Sequence, residues 1–265
     1  MTKQQLLSPY GGNPDLRLTL ARLLDQYAFS QERGLLGLSS FFTPEEQAEA
    51  AVLLSRLPPC RWCFFGGFEE AERKVCVFLP DWWEESQLYE EEDSPLCAVD
   101  VSVPPMADLG HRDYLGALMG LGISREKFGD ILPSEQGAKL ILLRELLPVV
   151  ESQWESVGRY PISLQRIPFS ELVTPERQIK KVQDTVASLR LDSVVASGFS
   201  LSRSRAVELI AAGRVFRNHR LCDKQNQEVE EGDVFSCRGM GKFVLSRVGG
   251  RSRKGRILIE LDRYE

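Results

Sequence analysis

The amino-acid sequence predicts an α+β protein built from several small domains. Helical and strand patterns are mixed along all 265 residues, and both their order and the charge change along the chain. A chain of this length can bury a separate core in each of two or three domains. The changes divide the sequence into an N-terminal α+β domain (1–82), a middle domain (95–168), a connector (169–186) and a basic C-terminal domain (187–265).

The N-terminal domain is expected to begin with two helices. Residues 15–33 place leucines at the i, i+3, i+4 spacing of an amphipathic helix. A second helix is expected after Thr43, whose hydroxyl can cap it, because a proline and two glutamates follow that suit a first turn. Strands are expected at 61–65 and 73–79, joined through a Gly-Gly turn.

The middle domain shows the order strand, helix, strand, strand, helix, strand. This is the split βαβ topology of ferredoxin-like domains. An acidic run at 84–94 precedes it and is expected to be a solvated loop. The predicted elements are strands at 96–103, 129–132, 138–143 and 160–167, and helices at 111–121 and 144–157.

RNA-recognition domains share this topology and stack bases on aromatic side chains of their third strand. Residues 138–142 read AKLIL and offer no aromatic side chain. RNA contact by this domain would therefore fall to Arg112, Arg125 and Lys127 through the RNA backbone. A structural domain with surface charges is the alternative, and the residues leave both open.

The C-terminal domain combines two helices with short strands. Ser202 is placed to cap the second helix with its hydroxyl, and Gly213 to end it in a left-handed conformation. The predicted elements are helices at 186–197 and 202–212 and strands at 214–217, 233–238, 242–248 and 256–263.

Charge is distributed unevenly between these parts. Residues 1–185 carry 18 lysines and arginines against 28 acids, whereas residues 186–265 carry 15 against 10. A basic last third in a chain of net charge -5 indicates a localised face for a polyanion. A chance fluctuation in surface charge is the alternative.

Five arginines lie around the second C-terminal helix. Arg203 and Arg205 fall in its first turn, where free N–H groups and the helix dipole attract anions. They point about 200° apart, so we expect them to straddle the helix end and contact two different phosphates. Arg214, Arg217 and Arg220 follow along the next strand, and the sequence does not show whether the two sets meet.

The remaining signals concern compartment. The first residues lack the basic and apolar regions of a secretory signal, and no apolar run is long enough to cross a membrane. We therefore expect a cytoplasmic protein with reduced, structural cysteines. Cys60 and Cys63 have zinc or redox spacing, but a lone pair cannot complete a tetrahedral shell.

Catalytic patterns are weak, and we expect no enzyme, catalytic residue, metal or cofactor. Gly66-Gly67 follows a strand but precedes another strand, which does not fit a nucleotide-binding loop. His111-Arg112-Asp113 resembles a kinase triplet without its other parts, and Asp113 fits better as a helix-capping acid. His111 and His219 are the only histidines, so general bases are few.

The C-terminal residues resemble the alpha-L RNA-binding motif, named from a small-subunit ribosomal protein and also found in tyrosyl-tRNA synthetases and pseudouridine synthases. The match covers about 187–240. The family usually has glycine where this chain has His219, so the turn is altered, or His219 contacts RNA, or it has no role. The matching residues are Arg190-Leu191-Asp192, Gly198, Ser202-Arg203, Ala206, Leu209-Ile210, Gly213, Val215, Asn218 and Gly232-Asp233.

Segments 64–82, 111–131 and 156–164 extend the resemblance to the YlmH-type family of bacterial RNA-binding proteins. It implies an RNA-recognition-like middle domain, association with tRNA and the large ribosomal subunit, and a part in rescuing stalled nascent chains. A photosynthetic branch of similar architecture is linked to photosystem II. An RNA-modifying enzyme of pseudouridine synthase or methyltransferase type, anchored by the alpha-L domain, is the remaining alternative.

The expected partners are structured RNA (rRNA or tRNA) and the large ribosomal subunit, with no membrane. The acidic N-terminal domain is expected to suit a protein partner. The residues expected to contact RNA are Arg190, Ser202, Arg203, Arg205, Arg214, Arg217, Asn218, His219, Arg220, Lys242, Arg253 and Lys254.

Overall fold

The structure is a computed structural model that describes residues 1–90, 92–172, 179–237 and 239–264. It confirms the predicted α+β class. The chain forms two compact units, Met1–Pro175 and Glu176–Glu265. The first unit joins the two domains expected before residue 169, and the three-domain division stays a prediction.

The N-terminal part of the first unit is a three-stranded antiparallel sheet with helices packed on one face. Thr43 caps α3 through a capping box with Glu46, as its position in the sequence predicts. Helix α1 and strand β1 were not predicted. The elements are α1 (Lys3–Leu7), α2 (Pro14–Arg33), β1 (Gly37–Phe42), α3 (Pro44–Leu54), β2 (Arg61–Phe65) and β3 (Lys74–Leu79), with sheet order β1-β3-β2.

The middle part has the ferredoxin-like topology that the pattern predicts. Its sheet is antiparallel with order β5-β6-β4-β9, and a 3-10 helix at Glu85–Tyr89 lies within the acidic run predicted as a loop. The elements are β4 (Leu96–Ser102), α4 (His111–Gly120), β5 (Phe128–Ser134), β6 (Gly137–Leu143), α5 (Leu147–Gln153), β7 (Ser156–Val157), β8 (Tyr160–Pro161) and β9 (Ser163–Ile167).

The helix predicted over 144–157 is wrong at both ends. Residues Arg144–Leu146 form a 3-10 turn, and α5 ends at Gln153. The chain then folds into the β7–β8 hairpin, where Val157 pairs with Tyr160 across a turn containing Gly158 at φ +58°. Glycine adopts that conformation without strain, so the chain reverses here instead of continuing as a helix.

The middle sheet is covered on both faces. On one face, Leu140 and Leu142 pack with Tyr114 and Leu118 of α4. On the other face, Ile141 lies in a core shared with Phe41, Val75 and other residues of the N-terminal sheet. The surface that RNA-recognition domains use for stacking is therefore closed within this unit.

The second unit consists of two helices packed on an antiparallel sheet. The described residues form a six-stranded sheet in the order β10-β15-β14-β13-β11-β12. The elements are β10 (Ile179–Val186), α6 (Leu191–Gly198), α7 (Arg203–Ala211), β11 (Val215–Arg217), β12 (Arg220–Leu221), β13 (Val234–Cys237), β14 (Gly241–Arg251) and β15 (Ile257–Tyr264).

Strand β10 corrects the connector predicted at 169–186. It pairs with β15 over its whole length, and its inward residues Val182 and Val186 pack on the domain core. Two valines among charged neighbours are a weak apolar pattern, and the sequence therefore predicted a linker instead of a strand. The helix predicted from Val186 begins only at Leu191, because Val186 belongs to β10 and Arg190 pairs with Glu228 in a β-bridge. Residues 173–178 of the connector, and Arg238 of a predicted strand, lie outside the described residues.

None of the helices in the described ranges combines the length and the apolar character needed to cross a membrane.

Candidate nucleic-acid interface

The turn between α6 and α7 sets the position of the predicted site. Gly198 ends α6 directly beneath Phe243, where a Cβ would lie 2.1 Å from a ring carbon. Ser202 caps α7 by accepting a hydrogen bond from the Arg205 amide at 3.2 Å, as predicted. Gly213 follows α7 at φ +65°, the left-handed conformation expected of it.

The buried carboxylate of Asp192 joins the starts of both helices. Its Oδ1 accepts a hydrogen bond from Arg190 Nε at 3.2 Å, and its Oδ2 accepts one from Arg190 Nη2 at 3.1 Å. Arg203 donates Nε and Nη2 to the same Oδ2 at 3.1 and 2.9 Å. The Asp192 side chain is 3% exposed, whereas those of Arg190 and Arg203 are 38% and 56% exposed. We call this arrangement the Asp192 clamp; it presents two guanidinium groups to solvent from one buried anchor.

Burial alone would raise the pKa of Asp192. The hydrogen bonds and positive charges of Arg190 and Arg203 outweigh burial and lower this pKa below its ordinary value of 3.8. The carboxylate is therefore ionised at neutral pH. In this structure the carboxylate holds the two arginines.

Arg205 lies apart from the clamp. Its Nη1 is 2.6 Å from Oε2 of Glu208 one turn further along α7, and both side chains are exposed. Arg203 thus turns toward α6 while Arg205 stays on its own helix. This is the divergence expected from their spacing.

The β11–β12 turn is a tight two-residue reversal at Asn218 and His219. Both residues have positive φ, +49° and +65°, and Arg217 pairs with Arg220 across the turn. His219 occupies a position that favours glycine. The three alternatives named for His219 stay predictions.

Asn218 and Arg217 are held by internal contacts. The Asn218 side chain donates to Asp233 Oδ1 at 2.7 Å and accepts from the Val234 amide at 2.9 Å. Arg217 is 18% exposed, with Nε 2.6 Å from Asp233 Oδ2 in an ion pair, although this N–H does not point at the oxygen. Its Nη1 donates to the Glu228 carbonyl at 2.8 Å.

The backbone at Glu228 links the Asp192 clamp to Arg217. Glu228 pairs with Arg190 in a β-bridge on one side and receives Arg217 on the other. The neighbouring segment also bonds to the start of α6, since the Leu191 amide donates to the Gln227 carbonyl at 2.8 Å. The Asp192 clamp and the β11–β12 turn are thus parts of one surface. Asp192, Glu228 and Asp233 were not among the predicted site residues, because their links join positions distant in the sequence.

The other predicted residues lie on neighbouring strands. Arg214 and Arg220 are exposed, and Lys242 is half-buried with Nζ 5.2 Å from the centre of the Tyr264 ring. Arg253 and Lys254 are exposed at the tip of the β14–β15 hairpin. Neither of these two makes a hydrogen bond or ion pair with the part of the chain that the structure describes.

Of the three cations named for the middle part, the fold holds Arg125, whereas Arg112 and Lys127 lie at the surface. Arg125 donates to the carbonyls of Phe128 and Gly129 at 2.7 and 3.0 Å, and its burial lowers its pKa to about 10. Lys127 pairs with Glu145 at 2.9 Å, while Arg112 is exposed. Asp113 caps α4 by accepting the Gly110 amide at 2.8 Å, as its position predicts.

His111 and the cysteines show no catalytic arrangement. Burial lowers the pKa of His111, and the positive charge of Arg125 lowers this pKa further. Burial raises the pKa of Cys63 to about 12 and that of Cys97 to about 11, so these thiols stay protonated. Within the described ranges, no three His, Cys, Asp or Glu side chains are grouped to hold a metal ion.

Comparison with known proteins identifies two matching domains and a related protein. Residues 90–171 match the family described as "Putative RNA-binding domain in YlmH", and residues 189–235 match the S4 domain. The ribosome-associated protein quality control protein P2 of Bacillus subtilis is 32% identical over 252 residues, which cover 95% of this chain and 96% of that protein.

A solved structure is similar in fold. The cell division protein YlmH from Streptococcus pneumoniae aligns with a TM-score of 0.50 and 23% identity, over 61% of this chain and 96% of that one. The likeness concerns the fold alone. The identity to the Bacillus subtilis protein along nearly the whole chain, together with both matched domains, shows that this chain belongs to the YlmH-type family of RNA-binding proteins with a C-terminal S4 domain.

Proposed function

We propose that this protein binds structured RNA, rRNA or tRNA, through its second unit and acts without catalysis on the large ribosomal subunit. The Asp192 clamp is the observation on which this proposal depends most. One buried carboxylate fixes two half-exposed guanidinium groups. Because folding already restricts these side chains, they lose less conformational entropy when they bind phosphates. Arginine forks held in this way suit backbone phosphates and favour readout of RNA shape.

The relative supplies the cellular context of the proposal. The Bacillus subtilis protein is named for ribosome-associated protein quality control. By extension, we propose that this chain is cytoplasmic and takes part in translation. Its role there would be the rescue of stalled ribosomes. The acidic N-terminal part is the candidate surface for a protein partner.

Sedimentation of a cell lysate through a sucrose gradient tests the ribosomal part of this proposal. The tagged wild-type protein is expected in the large-subunit fractions, and the Arg203→Ala/Arg205→Ala variant is expected near the top. The matched control is Arg17→Ala/Arg56→Ala, which removes the same charge from exposed positions of the first unit. Wild-type protein that stays at the top would contradict the ribosomal assignment.

A further inference from the structure

A groove of about 410 Å³ lies in the second unit between β10 and the α6–α7 turn. Its lining includes Thr185, Ser193, Ser197 and Ser200, whose hydroxyl groups also bond within the protein, and Val182. We call it the β10 groove. Its volume is in the range of cavities that hold small molecules, and it is too small to receive a duplex.

Two arginines line the β10 groove from different elements. Arg203 is the first residue of α7, and Arg256 directly precedes β15. Arg203 uses Nε and Nη2 to bond Asp192, and Arg256 uses Nε and Nη2 to bond the Oγ1 and the carbonyl of Thr185. The Nη1 atom of each arginine makes no hydrogen bond to the residues that the structure describes. Both cations are therefore anchored and still have a donor for a ligand.

An acid completes the lining. Asp184 accepts the Ser197 hydroxyl at 2.6 Å on Oδ2, and its Oδ1 accepts the Thr185 amide at 2.7 Å. A carboxylate oxygen has a second lone pair, so Asp184 can also accept from a base N–H or a ribose hydroxyl. Cations, hydroxyls and one acceptor in a groove of this size match the phosphate, the ribose and the base of a nucleotide.

We propose that the β10 groove receives one unpaired nucleotide of the RNA that the second unit binds. This inference rests on the proposed function, because Arg203 belongs both to the Asp192 clamp and to the groove. Paired bases are enclosed in the helix, whereas an unpaired base can leave it and stack on a guanidinium plane. The clamp would hold the RNA backbone while the groove selects RNAs with a nucleotide free to enter.

Two hairpin RNAs with the same stem test this inference, one fully paired and one with a single unpaired nucleotide. Fluorescence anisotropy should show wild-type protein binding the second about tenfold more tightly, the size of one base contact. Arg256→Gln removes a cation from the groove, and Ser197→Leu fills it. Each variant should lose the preference for the unpaired nucleotide and should change the affinity for the paired hairpin less than twofold. The control variant Lys181→Gln removes an exposed charge from β10 outside the groove, and it should keep the preference for the unpaired nucleotide.

The outcomes separate the two proposals. Equal wild-type affinity for both hairpins would overturn the groove inference and leave the proposed function standing. Failure to bind either hairpin would overturn the proposed function itself. Saturable calorimetric binding of free adenosine or guanosine monophosphate below millimolar concentration would assign the groove to a free nucleotide and contradict its assignment to RNA.

Discussion

Asp192 combines deep burial with full charge pairing, and it holds the guanidinium groups of Arg190 and Arg203. Its side chain is 3% exposed and accepts hydrogen bonds from Arg190 and Arg203. Removing one partner from a fully buried ion pair costs about 3–5 kcal/mol. Here both arginines are more than a third exposed, so solvent screens the interaction and the expected effect is smaller.

Asp192→Asn should lower the free energy of unfolding by about 1–2 kcal/mol at pH 7, because an isosteric amide keeps the shape but loses the charge. The folded-state pKa of Asp192 is lowered, so its stabilisation is complete above the unfolded value of 3.8 and is lost as pH falls through the folded value. Urea unfolding of both proteins between pH 3 and pH 7 measures the difference. A difference that grew toward acid pH would contradict this assignment.

His219 shows strain at one residue of the same surface. Its φ of +65° costs a non-glycine residue about 1 kcal/mol. His219→Gly should therefore raise the free energy of unfolding by up to about 1 kcal/mol, since the greater freedom of glycine in the unfolded chain offsets part of the relief. Thermal unfolding measures this gain. RNA affinity measured in parallel decides whether His219 contacts RNA. A loss of affinity in a stabilised variant assigns an RNA contact to His219, and unchanged affinity assigns none.

Among the elements, α6 and β14 are linked by a close approach that requires glycine. A Cβ on Gly198 would lie 2.1 Å from the Phe243 ring, in the core that supports the α6–α7 turn. Gly198→Ala should cost about 1–3 kcal/mol through overpacking, measured by denaturant unfolding. The smaller side chain in Gly198→Ala/Phe243→Leu should recover part of that loss. If the alanine variant were as stable as wild type, the packing described here would be wrong.

Local signals in the sequence predict elements well where a cap or a dense apolar pattern marks them. Thr43 and Ser202 both cap the helices expected after them, and the strand at 61–65 forms with those bounds. Strand β10 was missed because only Val182 and Val186 mark its inward face. Pairing with β15, far along the chain, makes it a strand, and no local pattern contains that information.

In the candidate site, too, local signals are predictable from the sequence and long-range contacts are not. The presence of Arg203 and Arg205 at a helix start is readable from spacing, and so is the Ser202 cap. Their partners are not, because the Asp192–Arg203 contact spans 11 positions and Asn218–Asp233 spans 15. Burial of Arg217 at 18% exposure also depends on the fold. Sequence reasoning therefore finds the charged residues, and the structure shows which ones are held.

Over the whole molecule, charge and packing divide the chain in the same way. The first unit is acidic and closes the middle sheet between two cores, so the face that would stack bases is buried. The second unit carries the basic excess and the clamp. These features support the proposal that the second unit binds RNA through the Asp192 clamp.

Salt dependence of binding to a structured RNA tests this assignment most directly. Each phosphate neutralised contributes about 0.7–0.9 log units of affinity per log unit of salt. Arg203→Ala/Arg205→Ala should weaken binding and flatten the slope by about 1.5, whereas Arg17→Ala/Arg56→Ala in the first unit should leave both unchanged. Circular dichroism checks that each variant is folded. An unchanged affinity and slope in the folded Arg203→Ala/Arg205→Ala variant would exclude this helix start from the interface and contradict the account.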